Sequence, residues 1–321
     1  MKPSPPTPLP VPQARPPRAR GATTLPKTTE SEASLPLSRG GYARGTGRGG
    51  RGVRALALIL CLASPLAAQE EDPSLEPERR DPLGTRLVNV ATPFPVQAKT
   101  LEVVFLHRFH LPIQDGSSSD LWGLDSGADV GIGLAWGITS RLDASLLRYS
   151  FQEDFELAGK FLMMEQKSEQ APRRPLSVAV RAGVDRLEHE GIEDPTRPFV
   201  QLLLARRLGR GFNLLVSPSW VRDTPRLRNA FNVPVGLTFA LRGGSLVELE
   251  VIPENRDLDE SVTAWHLAWS RDVGGHIFEI VLGNSRAVTV DQYLGGDSAA
   301  GFKAGDVRLG FNLIRDFDFS F

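Results

Sequence analysis

The feature that most constrains this chain is an alternation of apolar and small or polar side chains that runs from about residue 100 to its last residue. Successive side chains of a β-strand point to opposite faces, so a period of two predicts strands. The apolar stretches are roughly ten residues long, which is the length that a tilted strand needs to cross a lipid bilayer. The sequence therefore predicts an all-β fold, a transmembrane up-and-down antiparallel β-barrel.

Clusters of Gly, Pro and polar residues separate these stretches and indicate about twelve strands. The predicted strands are 100–109, 128–137, 141–149, 154–164, 176–184, 198–208, 211–221, 230–242, 245–253, 262–273, 275–284 and 305–317. An even number above eight exceeds what a small soluble barrel fills with side chains.

Short and long connections largely alternate along the predicted strands, as they do in outer-membrane barrels, whose periplasmic turns are short and whose outer loops are long. One pair breaks this rule, because 150–153 is short and 165–175 is longer. Either a strand is misassigned there or one periplasmic turn is extended.

The face of the strands opposite to the apolar one decides between two folds. A soluble lipocalin-like barrel would point large apolar groups inward, whereas a membrane barrel points them at lipid. Here the other face mixes Gly and Ala with charges of both signs, which suits an interior where opposite charges pair. The candidate lumen-lining residues are Asp129, Asp143, Glu156, Lys160, Arg181, Arg207, Arg242, Glu248, Glu250, Glu279 and Arg308.

Aromatic residues fall mostly near the ends of the predicted strands, where membrane barrels place them at the lipid–water interfaces. The candidate interface aromatics are Trp122, Trp136, Trp220, Trp265, Phe317 and Phe321. An aromatic last residue on the outward face is typical of outer-membrane proteins, so the expected partners are outer-membrane lipid and the barrel insertion machinery, which would read the strand ending at Phe321.

The region before the barrel divides into three parts. Residues 1–52 are rich in Pro, Arg and Gly and predict a disordered extension. One hypothesis is that the translation start is assigned too far upstream. Residues 53–68 have the basic start, apolar core and small residues of a secretory signal peptide. Residues 69–99 read as a periplasmic lead-in, and 100–321 as the barrel. Export to the outer membrane is the expected localisation.

Two alternatives for this region are weaker. The stretch Arg44–Arg54 could be a basic nucleic-acid arm, but the formal net charge of −1 gives no strongly polarised surface, so no nucleic-acid partner is expected. Cys61 could be lipidated, but Leu60 before it is not the small residue that such processing requires.

Several blocks of the sequence resemble a known family. They include 87–95 (LVNVATPFP), 122–128 (WGLDSGA), 274–286 (GGHIFEIVLGNSR) and 305–315 (GDVRLGFNLIR). Together they resemble the recurring blocks of an uncharacterised family of bacterial outer-membrane β-barrel proteins, over roughly 85–317. The resemblance implies the barrel and the outer membrane, and it transfers no catalytic residue.

Chemistry is weakly indicated. Ser285 with His276 is the nearest approach to a hydrolase pair, and His107, Asp125 and His276 could bind a metal across strands, but a turn and interface positions explain these residues more simply. The acidic loop 115–120 lacks the ligand spacing of a calcium-binding EF-hand. We expect no enzyme, no cofactor, no metal and no catalytic residue.

The function expected from the sequence is a small passive channel or a structural barrel with a polar, mixed-charge lumen, which the charges could also close by pairing. A barrel that binds a surface or periplasmic ligand without transport is the alternative. An outer-membrane hydrolase is the least favoured reading.

Overall fold

The computed structural model describes residues 84–167, 174–188, 195–209, 211–224, 228–255, 261–296, 299 and 306–319. The predicted extension 1–52, the predicted signal peptide 53–68, residues 69–83 of the lead-in and Phe321 lie outside the described residues. Within the described ranges no helix is long and apolar enough to cross a membrane.

The described chain forms fourteen strand segments and one short α-helix. The first seven strands are β1 (Thr100–Phe109), β2 (Ala128–Thr139), β3 (Leu142–Tyr149), β4 (Asp154–Met164), β5 (Ser177–Leu187), β6 (Thr196–Gly209) and β7 (Phe212–Val216). The others are β8 (Ser219–Val221), β9 (Ala230–Asn232), β10 (Val235–Ala240), β11 (Ser245–Ile252), β12 (Ala264–Val273), β13 (His276–Gly283) and β14 (Arg308–Asp318). The helix is α1 (Val290–Gly295).

These segments close into one antiparallel barrel. Strands that follow one another in the chain pair with each other, except β7 with β8 and β9 with β10, and β14 pairs with β1, which closes the sheet. Segments β7 and β8 form one interrupted strand beside β6, and β9 and β10 form another beside them. The barrel therefore has twelve strands, which confirms the architecture predicted from the sequence.

Two predicted strands, 211–221 and 230–242, are each interrupted at a proline. Pro218 separates β7 from β8 and Pro234 separates β9 from β10, because proline has no N–H to donate to a neighbouring strand. Their carbonyl groups still take part in the sheet: Leu202 N donates to Pro218 O at 2.9 Å, and Ser217 N donates to Pro234 O at 2.9 Å.

The two ends of the barrel differ. The turn end carries the short connections and the start of β1, where Thr100 lies opposite Asp318 of β14. The loop end carries the longer connections. At the pair that broke the alternation of connection lengths, both strands are present, and the turn-end connection between β4 and β5 is extended, with a bridge between Lys167 and Arg174.

The outer wall is apolar and the inner wall is small or polar. On β2, Ile132, Leu134 and Trp136 are 55%, 44% and 40% exposed, while Gly131 and Gly133 between them are buried. The same alternation exposes Leu157 and Phe161 on β4. Large apolar side chains in contact with the medium all round a closed sheet are characteristic of a barrel that is solvated by lipid.

The barrel interior is occupied from the turn end by a segment that precedes β1. Residues 84–97, here called the inward hairpin, run into the barrel and turn back, with Leu87 N donating to Val90 O at 2.9 Å and Thr92 N to Thr85 O at 3.0 Å. Its tip is at most 4% exposed from Leu87 to Val90. The lead-in predicted for residues 69–99 therefore contains the inward hairpin, most of which is buried or half-buried within the barrel.

A second segment fills the barrel from the loop end. After β13 the chain folds inward over residues 284–296, which include α1, and all six helix residues are buried. Leu87 and Val90 of the hairpin share one apolar cluster with Val290, Tyr293 and Leu294 of this segment. The two segments thus pack on each other inside the barrel, where apolar contact removes both from water.

Candidate functional site

Most of the charged residues predicted to line the lumen lie on the inner wall. Eight of the eleven candidates are buried, each at most 8% exposed: Asp129, Asp143, Glu156, Lys160, Arg181, Glu248, Glu250 and Glu279. A buried charge is costly unless it is paired or hydrogen-bonded, so their partners define the site.

The other three candidates lie elsewhere. Arg207 is exposed at the turn end, with its guanidinium 5.9 Å from the ring centre of Phe94. Arg308 is half-buried at the loop end, where its Nε donates to His110 O at 3.0 Å. The side chain of Arg242, in the turn between β10 and β11, is outside the described part of the chain.

Glu250 on β11 holds the tip of the inward hairpin. Its carboxylate accepts hydrogen bonds from Asn89 N at 2.9 Å, Asn89 Nδ2 at 3.0 Å and Val90 N at 2.8 Å. His266 Nδ1 of β12 lies 3.2 Å from the same carboxylate. The tight turn exposes these N–H groups at the tip, and a carboxylate is the group that can accept all of them.

Arg108 of β1 holds the other side of the tip. Its guanidinium donates to Asn89 Oδ1 at 3.0 Å and to Asn312 Oδ1 of β14 at 2.7 Å. The amide of Asn312 in turn donates to Glu279 of β13. The hairpin tip therefore lies between the carboxylate of Glu250 on β11 and the guanidinium of Arg108 on β1.

Three further inner-wall residues hold the base of the hairpin near the turn end. Lys160 Nζ donates to Phe94 O at 2.6 Å and lies 3.4 Å from Asp143 Oδ2, which accepts from Val96 N at 2.9 Å. Thr85 Oγ1 donates to Glu102 at 2.7 Å. In the described state, charged groups of the inner wall are thus hydrogen-bonded to the hairpin and do not line an open path for solutes.

Glycines on the inner wall make room for the hairpin. A Cβ at Gly236 would lie 2.0 Å from Leu87 Cδ1, and one at Gly137 would lie 1.8 Å from Gln97 O. At Gly137 only glycine lets the backbone of the hairpin approach so closely, and at Gly236 the absence of a side chain leaves room for the side chain of Leu87.

The segment with α1 is held by a second set of inner-wall residues. Arg181 pairs with Glu156, whose other oxygen accepts from Val290 N at 3.1 Å. Gln201 Nε2 donates to Tyr293 Oη at 2.8 Å. Three carboxylates, those of Asp154, Asp185 and Asp291, meet beside these contacts and offer one oxygen each within 4.8 Å of one another.

Two spaces border the inward hairpin in the described part of the chain. A cavity of about 60 Å³ lies between the inward hairpin and the inner wall, bounded among others by Thr85, Asn89 and Glu102. A water molecule takes about 30 Å³ of liquid volume, so the space suits a few waters. A wider recess of about 270 Å³, bordered by Phe94, Ser140 and Glu165, opens at the turn end.

The interface aromatics divide between the two ends. Trp136 and Phe317 lie on the outer wall near the turn end, and Trp136 packs 5.9 Å from the ring of Phe319. Trp220 and Trp265 lie on the outer wall near the loop end. Trp122 is 44% exposed in the connection between β1 and β2, not on a strand.

The structure separates the residues considered for chemistry. His276 is the first residue of β13 and Ser285 follows its last residue, so the two lie at opposite ends of the strand and cannot meet. His107 stacks on Phe311 at 4.7 Å on the outer wall, whereas His276 lies beside Arg315, four residues further along β14. The two histidines are thus about 13 Å apart along the strand.

The acidic loop between β1 and β2 forms a local turn. Asp120 accepts from Ser117 N at 2.7 Å and from Gly123 N at 3.3 Å. The bond from the Ser117 N–H lowers the pKa of Asp120 below its ordinary value. Its carboxylate is thereby used in the turn, as Asx turns do.

Sequence reasoning missed most partners of these two segments. Arg108, Asp154, Asp185 and His266 share the alternation phase of the inner wall, so the period of two could have identified them. Asn89 has no such signal, because it lies in a tight turn outside any strand.

A closed antiparallel barrel with an apolar outer wall and a polar inner wall, filled by two segments of its own chain, is a membrane-spanning β-barrel. The sequence agrees: residues 83–317 match the family model described as "Membrane bound beta barrel domain (DUF5777)". The chain belongs to this family, as the resemblance noted in the sequence implied.

Three solved structures are similar to parts of this chain. The COG4313 outer membrane channel from Pseudomonas putida F1 is 12% identical with a TM-score of 0.43, over 70% of this chain and 98% of that one. Outer membrane phospholipase A from Escherichia coli is 13% identical with a TM-score of 0.37, over 68% and 90%. No curated protein sequence matches the chain.

A mutant porin of Rh. blastica is 15% identical with a TM-score of 0.31, over 59% of this chain. The match spans about 55% of the porin's own length. At these identities and TM-scores, the likeness carries no argument about what this chain does.

Proposed function

We propose that the protein is an outer-membrane channel for small polar solutes whose closed state is the one described, and that its opening begins when the inward hairpin withdraws toward the turn end. The observation that carries this proposal is the chemistry of the hairpin's attachment. Its tip and base are held by Glu250, Arg108, Lys160 and Asp143, side chains that would line a polar path once the hairpin has left.

The attachment favours a removable closure for a physical reason. Water can replace the hydrogen bonds between the hairpin and these charged groups, so each contributes only about 1.5–3 kcal/mol net. The hairpin also precedes β1 directly, so it can leave the barrel without breaking any strand pairing. Charges of both signs on the wall predict weak ion selectivity.

Single-channel recording tests this proposal. The full chain is purified from membranes and reconstituted in planar bilayers, where it should show rare openings. Glu250→Gln should raise the fraction of time spent open at least tenfold, because the neutral amide accepts hydrogen bonds from the three N–H groups of the hairpin less strongly. Glu188→Gln is the matched control, since the carboxylate of Glu188 is exposed at the loop end, where it pairs with the exposed Arg186.

A second candidate is a barrel that does not conduct. It is favoured by the apolar cluster of Leu87, Val90 and Leu294, which opposes withdrawal of the hairpin. Absence of conductance steps from both the natural chain and Glu250→Gln, with both shown to be folded by heat-modifiable gel migration, would reject the channel and support this candidate.

The proposal contains no enzymatic step and gives the chain no catalytic residue. Hydrolysis of a phospholipid or an ester by the purified protein, in proportion to its concentration, would contradict it. Export through the signal peptide 53–68 and insertion through the strand ending at Phe321 are part of the proposal. An N-terminus of the mature protein near Gln69 is the expected result of sequencing.

A further inference from the structure

Three aspartates meet inside the barrel near the loop end. Asp154 begins β4, Asp185 lies near the end of β5 and Asp291 is in α1. Each is 0% exposed, and one oxygen from each lies within 4.8 Å of the others. Three carboxylates that are buried together need a compensating positive charge or protons.

The charges around this cluster do not balance. Arg197 of β6, itself 0% exposed, contacts the cluster with its Nε 3.8 Å from Asp291 Oδ2. The neighbouring carboxylate of Glu156 is already paired with Arg181. Three ionised aspartates and one guanidinium therefore leave a net charge of two negative units in a site shielded from solvent.

Oxygen atoms without hydrogen bonds mark where the compensating group would lie. Among the described residues, Asp154 Oδ1, Asp185 Oδ1, Asp291 Oδ2 and Gln292 Oε1 are buried and accept no hydrogen bond. The amide of Gln292, 0% exposed, belongs to the cluster because its Nε2 donates to Asp154 Oδ2 at 3.1 Å. Buried acceptors of this kind are rarely left unsatisfied.

The second oxygen of two of the aspartates is engaged in orienting the cluster. Asp185 Oδ2 accepts from Asp291 N at 3.0 Å, and Asp154 Oδ2 accepts from Thr289 Oγ1 at 2.5 Å. Asp154 and Asp185 are thus held with one oxygen toward protein donors and the other without a hydrogen bond, which is the arrangement of ligands prepared for a cation.

We propose that this cluster binds a divalent cation, with Ca²⁺ preferred, through Asp154, Asp185, Asp291 and Gln292. Hard cations take oxygen ligands, and bonds of about 2.4 Å to Ca²⁺ can bridge oxygens that lie up to about 4.8 Å apart. A charge of two positive units neutralises the cluster together with Arg197. Water completes the six to eight ligands that Ca²⁺ takes.

The ion has a structural consequence. It joins α1 to β4 and β5, so it fixes the segment that fills the loop end of the barrel. Binding to the folded form alone stabilises that form in proportion to ion concentration. This inference does not depend on whether the barrel conducts.

Calorimetric titration of the full chain in detergent, after treatment with a chelator, tests the site. We expect one Ca²⁺ per chain, a higher temperature for heat-modified gel migration in Ca²⁺, and at least tenfold weaker binding of Mg²⁺, which demands near-ideal octahedral geometry. Asp291→Asn should weaken Ca²⁺ binding at least tenfold, and Asp185→Asn should do the same.

Asp223→Asn is the control, because Asp223 is a loop aspartate next to Arg222, away from this cluster. No binding of Ca²⁺ by the natural chain up to millimolar concentration would overturn the proposal and assign neutralisation to protons. Unchanged affinity in folded Asp291→Asn and Asp185→Asn would also overturn it. If neither variant folds, the Ca²⁺ titration of the natural chain and the change in its temperature of heat-modified migration still test the proposal.

Discussion

At the scale of single residues, the inner wall is shaped by what occupies it. Small side chains stand where the hairpin approaches, and charged side chains stand where its N–H and C=O groups need partners. The inner wall is therefore complementary to one particular segment of the chain, and changes on it should be judged by their distance from that segment.

Two inward glycines of β2 allow a direct comparison. Gly137→Ala would place Cβ 1.8 Å from Gln97 O, a backbone atom that can move only with the hairpin. Gly133→Ala would meet Leu147 Cδ1 at 3.4 Å, which is an ordinary contact. We expect Gly137→Ala to lower the free energy of unfolding by about 1–3 kcal/mol and Gly133→Ala to be near neutral. Equal effects in denaturant titrations would contradict this reading.

At the scale of elements, the inward hairpin and α1 are the segments that the strand pattern does not contain. They share an apolar cluster, and both are also attached to the wall: the tip of the hairpin to β11 and β1, and α1 to β4 and β5. Loosening the shared cluster should therefore release the hairpin first, since the hairpin adjoins only β1, whereas α1 lies in the connection between β13 and β14.

Leu87→Ala tests this order. Leu87 is 1% exposed in the shared cluster, and truncation of a buried leucine costs about 2–5 kcal/mol. The amides of Asn89 and Val90, which donate to Glu250, should then exchange their hydrogens at least tenfold faster. Leu134→Ala, on the outer wall, is the control and should leave their exchange unchanged. Equal protection in both variants would show that the cluster does not hold the hairpin.

At the scale of the whole molecule, the barrel is inside-out relative to a soluble protein. Its apolar residues face the surroundings, and its charges face a filled interior. The cost of a charge on the outer wall should thus depend on its depth in the bilayer, which gives a test of how the barrel is positioned.

Leu134 and Ile138 lie on the outer face of β2, the first near its middle and the second near the turn end. Leu134→Arg should destabilise the barrel by about 2–4 kcal/mol and Ile138→Arg by about 0–1 kcal/mol, because a charge near the interface reaches water. Equilibrium unfolding from lipid vesicles measures both values. Similar costs at the two positions would contradict a membrane-centred β2.

Much of this molecule was predictable from local pattern, and the exceptions have a physical cause. A period of two identifies a strand and its lipid-facing side, so β1 was predicted to the residue and β14 to within a few residues. The interruptions at Pro218 and Pro234 followed from chemistry that an alternation count ignores. Partners such as Asn89 and Glu250 are 161 residues apart in the chain, and no local signal connects them.

The inward hairpin ends at residue 97, only three residues before β1 begins. A displaced hairpin consequently remains covalently attached to the start of β1, beside the turn-end opening of the barrel. Its effective concentration at its binding site is about millimolar or more. The hairpin therefore rebinds with first-order kinetics, and its rate does not depend on the density of the protein in the membrane. Closure of the barrel should accordingly be fast and require no second molecule, because the closing segment belongs to the same chain.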